Sequence, residues 1–416
     1  MRMIRNPCRD MIGYKENMNI QTMSTPYAEI ISHLSMIFNT VVIQNRIFYK
    51  FQKKKRTFPK YKHCRICYTT DKSIERMTFM KKARIAVIGA GGIARSVHLP
   101  SLSELPNCEI VAIADSQRHK AEEMAQKYQI PNVYGVHYEL LAQEKDLDGI
   151  LCLVNPDCTM RVAYDCLQAG NNILTEKPAG LDSYQAHSLA RCAARNGKIA
   201  AVAMNRRHIP LVQEVLKKVR AAGPILQIDG RFMKYSNIAN GWFYASAFNC
   251  DIIHALDLVR YAAQSEPTAA STVISRFNSP VDNAWNSVFR FENGIVGTLR
   301  ANYQASGRVH DLEVHGSGAS AFINLGFAEL NCDAKIIYND GVTLYSAAAA
   351  GIGKNNFEFL DGAKVAGGDK DYQYYGYKSE DIDFIDCILN GKQPLCTMED
   401  AAKSMDMAEF LLKNAI

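Results

Sequence analysis

The chain has 416 residues, 48% of them hydrophobic, which suffices for two cored domains, and a formal net charge of +6. The charge is unevenly placed: residues 1–79 hold 15 Lys and Arg against 5 Asp and Glu, a surplus of +10, so residues 80–416 carry −4. A mildly acidic body gives no footing for nucleic-acid binding.

Residues 1–79 follow neither a helical nor a strand period. Their longest charge-free stretch, residues 30–45, is interrupted by polar side chains and falls short of the ~18 apolar residues of a membrane span. No secretory signal pattern is present. Lys53 to Arg56 reads as a solvated charge run. His63, Cys64 and Cys67 make half a zinc site, but no second pair follows at finger spacing, so no metal is expected. Met80 stands just before the first strand, and Glu75-Arg76 could be encoded by a purine-rich ribosome-binding stretch. A start at Met80 or Met77 is therefore expected. Twelve cysteines without framework spacing, and no secretion signal, point to a reducing cytoplasm.

From residue 84 the pattern sharpens. An apolar run, residues 84–88, leads into Gly89-Ala90-Gly91-Gly92-Ile93-Ala94, then a helical stretch, then a second apolar run ending on Asp115. This order predicts a dinucleotide-binding βαβ unit. Gly89 permits the turn, Gly91 lets backbone amides approach a pyrophosphate, and Ala94 keeps the helix close to the sheet. Asp115 lies where an acid accepts from an adenosine ribose diol, which favours NAD; Ser116 and Arg118 keep NADP possible. Helices are predicted over residues 116–129, 138–143, 159–169 and 184–196, and strands over 149–154, 172–175 and 198–204. Three polar clusters emerge from the last three strand ends: Asn155-Pro156, Glu176-Lys177-Pro178 and Asn205-Arg206-Arg207. Beyond residue 206, strand-like runs at 227–235, 270–277, 286–291, 294–303 and 311–315 replace the alternation.

These clusters, followed by Ile253-His254-Ala255-Leu256-Asp257-Leu258-Val259-Arg260-Tyr261, by Glu380-Asp381 and by Gly391-Lys392-Gln393-Pro394, resemble the Gfo/Idh/MocA family of oxidoreductases over about residues 80–416. The resemblance implies an α/β chain. A Rossmann-type doubly wound parallel sheet (80–204) binds NAD(P), and an α+β domain (205–416) with a large, mostly antiparallel open sheet binds substrate and mediates oligomerisation. It implies hydride transfer between a nicotinamide cofactor and a secondary hydroxyl of a sugar, cyclitol or sugar acid, by a homodimer or homotetramer without nucleic-acid or membrane partners. In that family the lysine matching Lys177 contacts nicotinamide and substrate. His254 matches the proton acceptor. Gly89, Gly91, Gly92, Ile93, Ala94, Asp115, Asn155, Pro156, Glu176 and Lys177 make the cofactor site.

Two departures stand out. Where the family often places an Asp four residues before the histidine, this chain has Cys250. Asp251, at i−3, lies on the same helical face, and either orients the imidazole or faces elsewhere. The loop after Pro156 also lacks the family's usual histidine. Asp257 either supports its helix or lines the substrate pocket. Arg206 has a sugar hydroxyl, a carboxylate or the cofactor as possible partners, and Arg207 is expected in a structural ion pair. Trp242, Tyr244 and Tyr303 could stack on a sugar or belong to the core. A nucleotide-linked regulator without chemistry, and a glycosidase using held NAD for transient oxidation, are the alternative functions.

Overall fold

The computed structural model describes residues 81–236, 246–326, 332–339 and 356–416. The readings on Lys53–Arg56, on His63, Cys64 and Cys67, on a start at Met77 or Met80, and on Trp242 and Tyr244 fall outside the described residues.

The first sheet is built from short, nearly uninterrupted apolar runs, as strands covered on both faces require. Its strands are β1 (Ala83–Ile88), β2 (Cys108–Ala114), β3 (Asn132–Tyr134), β4 (Gly149–Cys152), β5 (Asn172–Thr175) and β6 (Ala200–Val202). They lie in the order β3-β2-β1-β4-β5-β6, all neighbours parallel. The chain reverses direction across the sheet between β1 and β4, so a crevice opens at their carboxyl ends, where doubly wound sheets take ligands.

The second sheet has the complementary sequence texture. Strands β7 (Ile225–Tyr235), β8 (Pro267–Ser275), β9 (Ala284–Phe291), β10 (Val296–Asn302), β11 (Gln304–Gly316), β12 (Ala319–Asn324), β13 (Asp333–Tyr338) and β14 (Asn356–Asp361) largely alternate inward apolar with outward polar residues. The order is β14-β13-β12-β11-β7-β10-β9-β8, antiparallel except for the β7–β10 pair. Gly294, at φ +88°, closes the β9–β10 hairpin in a conformation that favours glycine. Helices Pro210–Ala222 and Ile253–Ala263 cover the inner face, burying Ile228, Phe232, Leu299 and Leu312.

Helix Met398–Lys413 packs against helix Ser183–Asn196 of the first layer and against helix Ile253–Ala263 of the second, so it holds the two sheets in one arrangement. A buried ion cluster reinforces this junction. Arg207 Nε and Nη2 donate to Asp257 Oδ2 and Oδ1 at 2.6 and 2.5 Å, and Nη1 donates to Asp400. Among the described residues no helix is long and apolar enough to cross a membrane.

Candidate active site

The glycine turn leaves β1 at its carboxyl end. A Cβ at Gly89 would stand 2.2 Å from the carbonyl oxygen of Leu153, and its φ is +103°, so no other residue fits this close crossing of β1 and β4. Gly91 and Gly92 are the opposite case: among the described residues, their chain neighbours and own helix backbone aside, no atom lies within 4 Å of where their Cβ atoms would be. That space opens on two clefts that share Gly91, Leu153, Val154 and Asn155 as walls. Beyond the turn begins a helix, whose first amides have no intrahelical acceptors. Helix Pro156–Gln168 also starts here, with Pro156 in its first turn and no side-chain cap from Asn155. Two helix N-termini therefore face the crevice, a setting that suits a pyrophosphate. Ala94 is fully buried against the sheet.

The outer cleft, about 440 Å³, is lined by Asp115, Ser116, Gln117, Lys120, His137 and Arg161 among others. The carboxylate of Asp115 accepts from the Ala90 and Gln117 amides, each at 2.7 Å. It thereby pins the glycine turn while each oxygen retains a lone pair for a diol. Arg118 is turned to Glu122 at 3.0 Å, and Lys120 and Arg161 are the basic groups along this wall. These features fit an adenosine-bearing dinucleotide: a cradle without side chains, helix ends for the phosphates, and an acid at the second strand's end.

The inner cleft, about 400 Å³, brings together Gly91, Gly92, Ile93, Asn155, Pro156, Glu176, Lys177 and Arg206 from the first layer with Asp251 and His254 from the second. Arg308, Tyr375 and Tyr377 complete it. Glu176 Oε2 accepts from the Lys177 amide at 3.1 Å, fixing the loop, and the Lys177–Pro178 peptide is cis. Lys177 Nζ donates to the Cys250 carbonyl at 2.9 Å, so position 250 serves the lysine through its backbone.

Asp251 departs from the helical-face expectation. The chain turns at Asp251 (φ −126°, ψ −47°) after helix Ala247–Cys250, and the next helix starts only at Ile253. Its side chain is therefore not stacked one turn below His254. The carboxylate accepts instead from Tyr303 Oη at 2.6 Å and from Lys234 Nζ. Burial alone would raise its pKa, but the Lys177 and Lys234 charges prevail and hold it below the usual range. Tyr303 is fully buried, in the core rather than on the cleft. Asp257, expected as a possible substrate contact, is 0% exposed and spent on Arg207 and on Ser404 Oγ at 2.7 Å.

The imidazole of His254 borders the cleft, and among the described residues its Nδ1 has no hydrogen-bond partner. Burial first, then the Lys177 and Arg206 charges, push its pKa well below 6.5, so the ring is neutral. His310 is depressed in the same way by burial and by Arg206 and Arg308, while burial and Arg207 bring His208 down to about 3. On the far side of Glu176, His98 behaves oppositely. Burial would lower it, but Asp381, 2.8 Å from Nδ1, and Glu176 raise it. Burial also lifts the adjacent Glu380 carboxyl well above 4.5.

These groups set a stability maximum. Below about pH 6.5 the unfolded chain protonates His208, His254 and His310 while the folded chain does not, so stability falls with acid despite the opposing Glu380. Above it, His98 loses a proton that only the folded chain retained, and stability falls again. Urea midpoints measured from pH 5 to 9 are expected to peak near pH 6.5, with limbs of roughly 1.4 kcal/mol per pH unit per net proton. His98→Asn should flatten the alkaline limb; a monotonic profile in the wild type would contradict this assignment.

Sequence reasoning missed Lys234, Arg308 and His310. They share one face of neighbouring strands because β7 and β11 pair Lys234 with Arg308 and Phe232 with His310. The period-two spacing of these residues is visible in the sequence, but the register that joins them is not.

Comparison with known proteins identifies the family. Residues 83–204 match the oxidoreductase family with an NAD-binding Rossmann fold, and residues 213–322 match the GFO/IDH/MocA C-terminal domain. The chain belongs to the Gfo/Idh/MocA family. It is 23% identical to scyllo-inositol 2-dehydrogenase (NAD(+)) of Bacillus subtilis over 78% of this chain and 92% of that protein. It is 27% identical to trans-1,2-dihydrobenzene-1,2-diol dehydrogenase of Bos taurus over 52% of this chain and 68% of that one. The solved structure of a dehydrogenase from Chromobacterium violaceum superposes with TM-score 0.70 at 18% identity, covering 80% of this chain and 96% of that one, a likeness of fold. The Gfo/Idh/MocA chain is thus an NAD(P)-dependent oxidoreductase, with a Rossmann sheet followed by the large, mostly antiparallel sheet that the motifs implied.

Proposed function

We propose that this enzyme transfers a hydride between a nicotinamide cofactor and a secondary hydroxyl of a sugar, cyclitol or sugar acid, with Lys177 and His254 as its catalytic residues. The observation that carries the reading is the meeting of Lys177 from the first layer and His254 from the second on one cleft walled by the glycine turn. Gly91, Gly92, Ile93, Asn155 and Pro156 would hold the cofactor, which supplies the hydride acceptor when bound.

The chain's own groups then handle charge and proton. As the hydroxyl proton leaves, the oxygen gains alkoxide character, and that charge drives the C–H bond to give up its hydride as the carbonyl forms. Lys177 has three N–H donors and spends one on the Cys250 carbonyl, leaving two for that oxygen. The neutral imidazole of His254 takes the hydroxyl proton. Asp251 acts through charge, anchoring Lys234 beside the lysine, and is a positioning residue. Asp115 supports NAD as the preferred cofactor, while Lys120 and Arg161 leave room for NADP.

The missing Asp–His pair favours the second reading, a nucleotide-linked regulator. The deciding experiment is an absorbance screen for reduced cofactor, using NAD⁺ and NADP⁺ against sugars, inositols and uronic acids. Turnover supports the enzyme; cofactor binding by calorimetry without turnover of any polyol would leave the regulator. Nine free thiols in the body fit a reducing cytoplasm. The outer face of the second sheet exposes Val288, Val296, Val309, Phe322 and Phe359, which supports assembly with further copies of the chain.

A further inference from the structure

We propose that the substrate carries an anionic group, a carboxylate or a phosphate, and that this group docks on the guanidinium of Arg206. The inference rests on the oxidoreductase reading above and narrows its substrate class.

Arg206 and Arg207 are sequence neighbours with opposite fates. Arg207 is neutralised by Asp257 and Asp400. Arg206 is only 3% exposed, yet among the described residues no carboxylate lies within ion-pair distance of it. Its Nη2 meets His310 Nδ1 at 2.9 Å, a neutral partner, and its guanidinium lies 5.0 Å from the centre of the Phe232 ring. Nε and Nη1 are buried with no hydrogen-bond partner. A buried guanidinium without a counter-charge carries a desolvation cost of several kcal/mol, which among the described residues only the His310 hydrogen bond and the Phe232 ring offset in part. Because Arg206 lines the inner cleft, the missing counter-charge fits a ligand there.

The surroundings have the same sign. Lys177 and Arg308 line the cleft, and Lys234 stands behind Asp251. The two carboxylates on the wall are already engaged: Asp251 by Lys234 and Tyr303, Glu176 by the Lys177 amide with His98 at 3.7 Å. The two imidazoles, His254 and His310, are neutral. A neutral polyol would leave the Arg206 charge uncompensated, and the cofactor's pyrophosphate has its own cradle at the glycine turn. An anion on Arg206 would fix which hydroxyl of the ring meets Lys177 and His254.

The test uses the full chain with bound NADH. Hexuronates and hexose 6-phosphates of the gluco, galacto and manno series are each compared with the parent hexose, by calorimetry and by thermal shift. At least one anionic member is expected to bind roughly 30-fold or more tightly than its parent. A hexuronate winner assigns a carboxylate, a hexose phosphate winner a phosphate. Arg206→Met should erase that preference with NADH affinity unchanged, and Arg206→Lys should keep part of it. Without ligand, Arg206→Met is expected to melt at or above the wild-type temperature, since it removes an unpaired buried charge. The proposal is overturned if no anionic member outbinds its parent, if Arg206→Met weakens parent and anion alike, or if that variant melts several degrees lower. Failure of the wild type to bind NADH would instead defeat the oxidoreductase reading; the anion preference is then read from thermal shifts of the protein alone.

Discussion

Lys177→Met is expected to lower kcat by about 10³-fold while NADH affinity changes by less than about twofold. Methionine keeps most of the stem's volume and removes only the ammonium that donates to the Cys250 carbonyl. The loss therefore falls on the developing alkoxide, whose charge exists only on the way to the transition state. A second readout separates this from damage to the fold. Lys177 is the foremost charge depressing His254, after burial itself. Its removal should move the imidazole pKa upward, and the acid limb of the residual kcat profile with it. Retention of kcat within about tenfold, or a shared fall in kcat and melting temperature, would remove Lys177 from the mechanism.

Asp257→Ala is expected to destabilise the protein by about 3–5 kcal/mol. The substitution leaves Arg207, among the largest fully buried side chains, with Asp400 as its remaining counter-ion. It also strips Ser404 Oγ of its acceptor. The affected elements are helix Ile253–Ala263, the turn Asn205–His208 and the C-terminal helix, which together hold the two layers and hence the cleft. Urea denaturation gives the cost directly. The double variant Arg207→Met/Asp257→Leu should recover much of it, because it removes the stranded charge along with its partner. A loss below about 1 kcal/mol for the single variant would mean that the pair is solvated rather than structural.

The glycine-turn half of the crevice was legible in the sequence because its pattern is local. A glycine turn, an acid at a strand end and an Asn-Pro helix start are each written within a few consecutive residues, and the parallel sheet merely sets them side by side. The other half of the crevice was legible where a motif reached it, at Arg206, Asp251 and His254. Lys234, Arg308 and His310 depend on the register between β7 and β11, which no local pattern encodes. Asp251 shows a subtler limit. An i−3 spacing puts two side chains on one face only in a continuous helix, whereas the chain turns between Cys250 and Ile253 and sends the carboxylate toward β7. Asp257 was placed on a functional motif correctly as a residue of the helix, but its partner, Arg207, sits fifty positions earlier and takes both carboxylate oxygens.

The helix that follows the glycine turn is wound in the wide, five-residue π manner from Ala94 to His98, with the Leu99 amide bonded to the Ala94 carbonyl, before it tightens to the α form at Leu99–Ser103. One supernumerary residue per turn changes the phase of everything before it by about 100° relative to everything after. Here that phase slip carries the His98 ring inward, onto Asp381 and Glu176, while Ala94 still presses on the sheet. The underside of the Glu176–Lys177 loop is thus linked to the dinucleotide turn by the pitch of one short coil. Shortening this coil by a single residue would leave every motif intact on paper, yet swing the imidazole away from the carboxylates it joins.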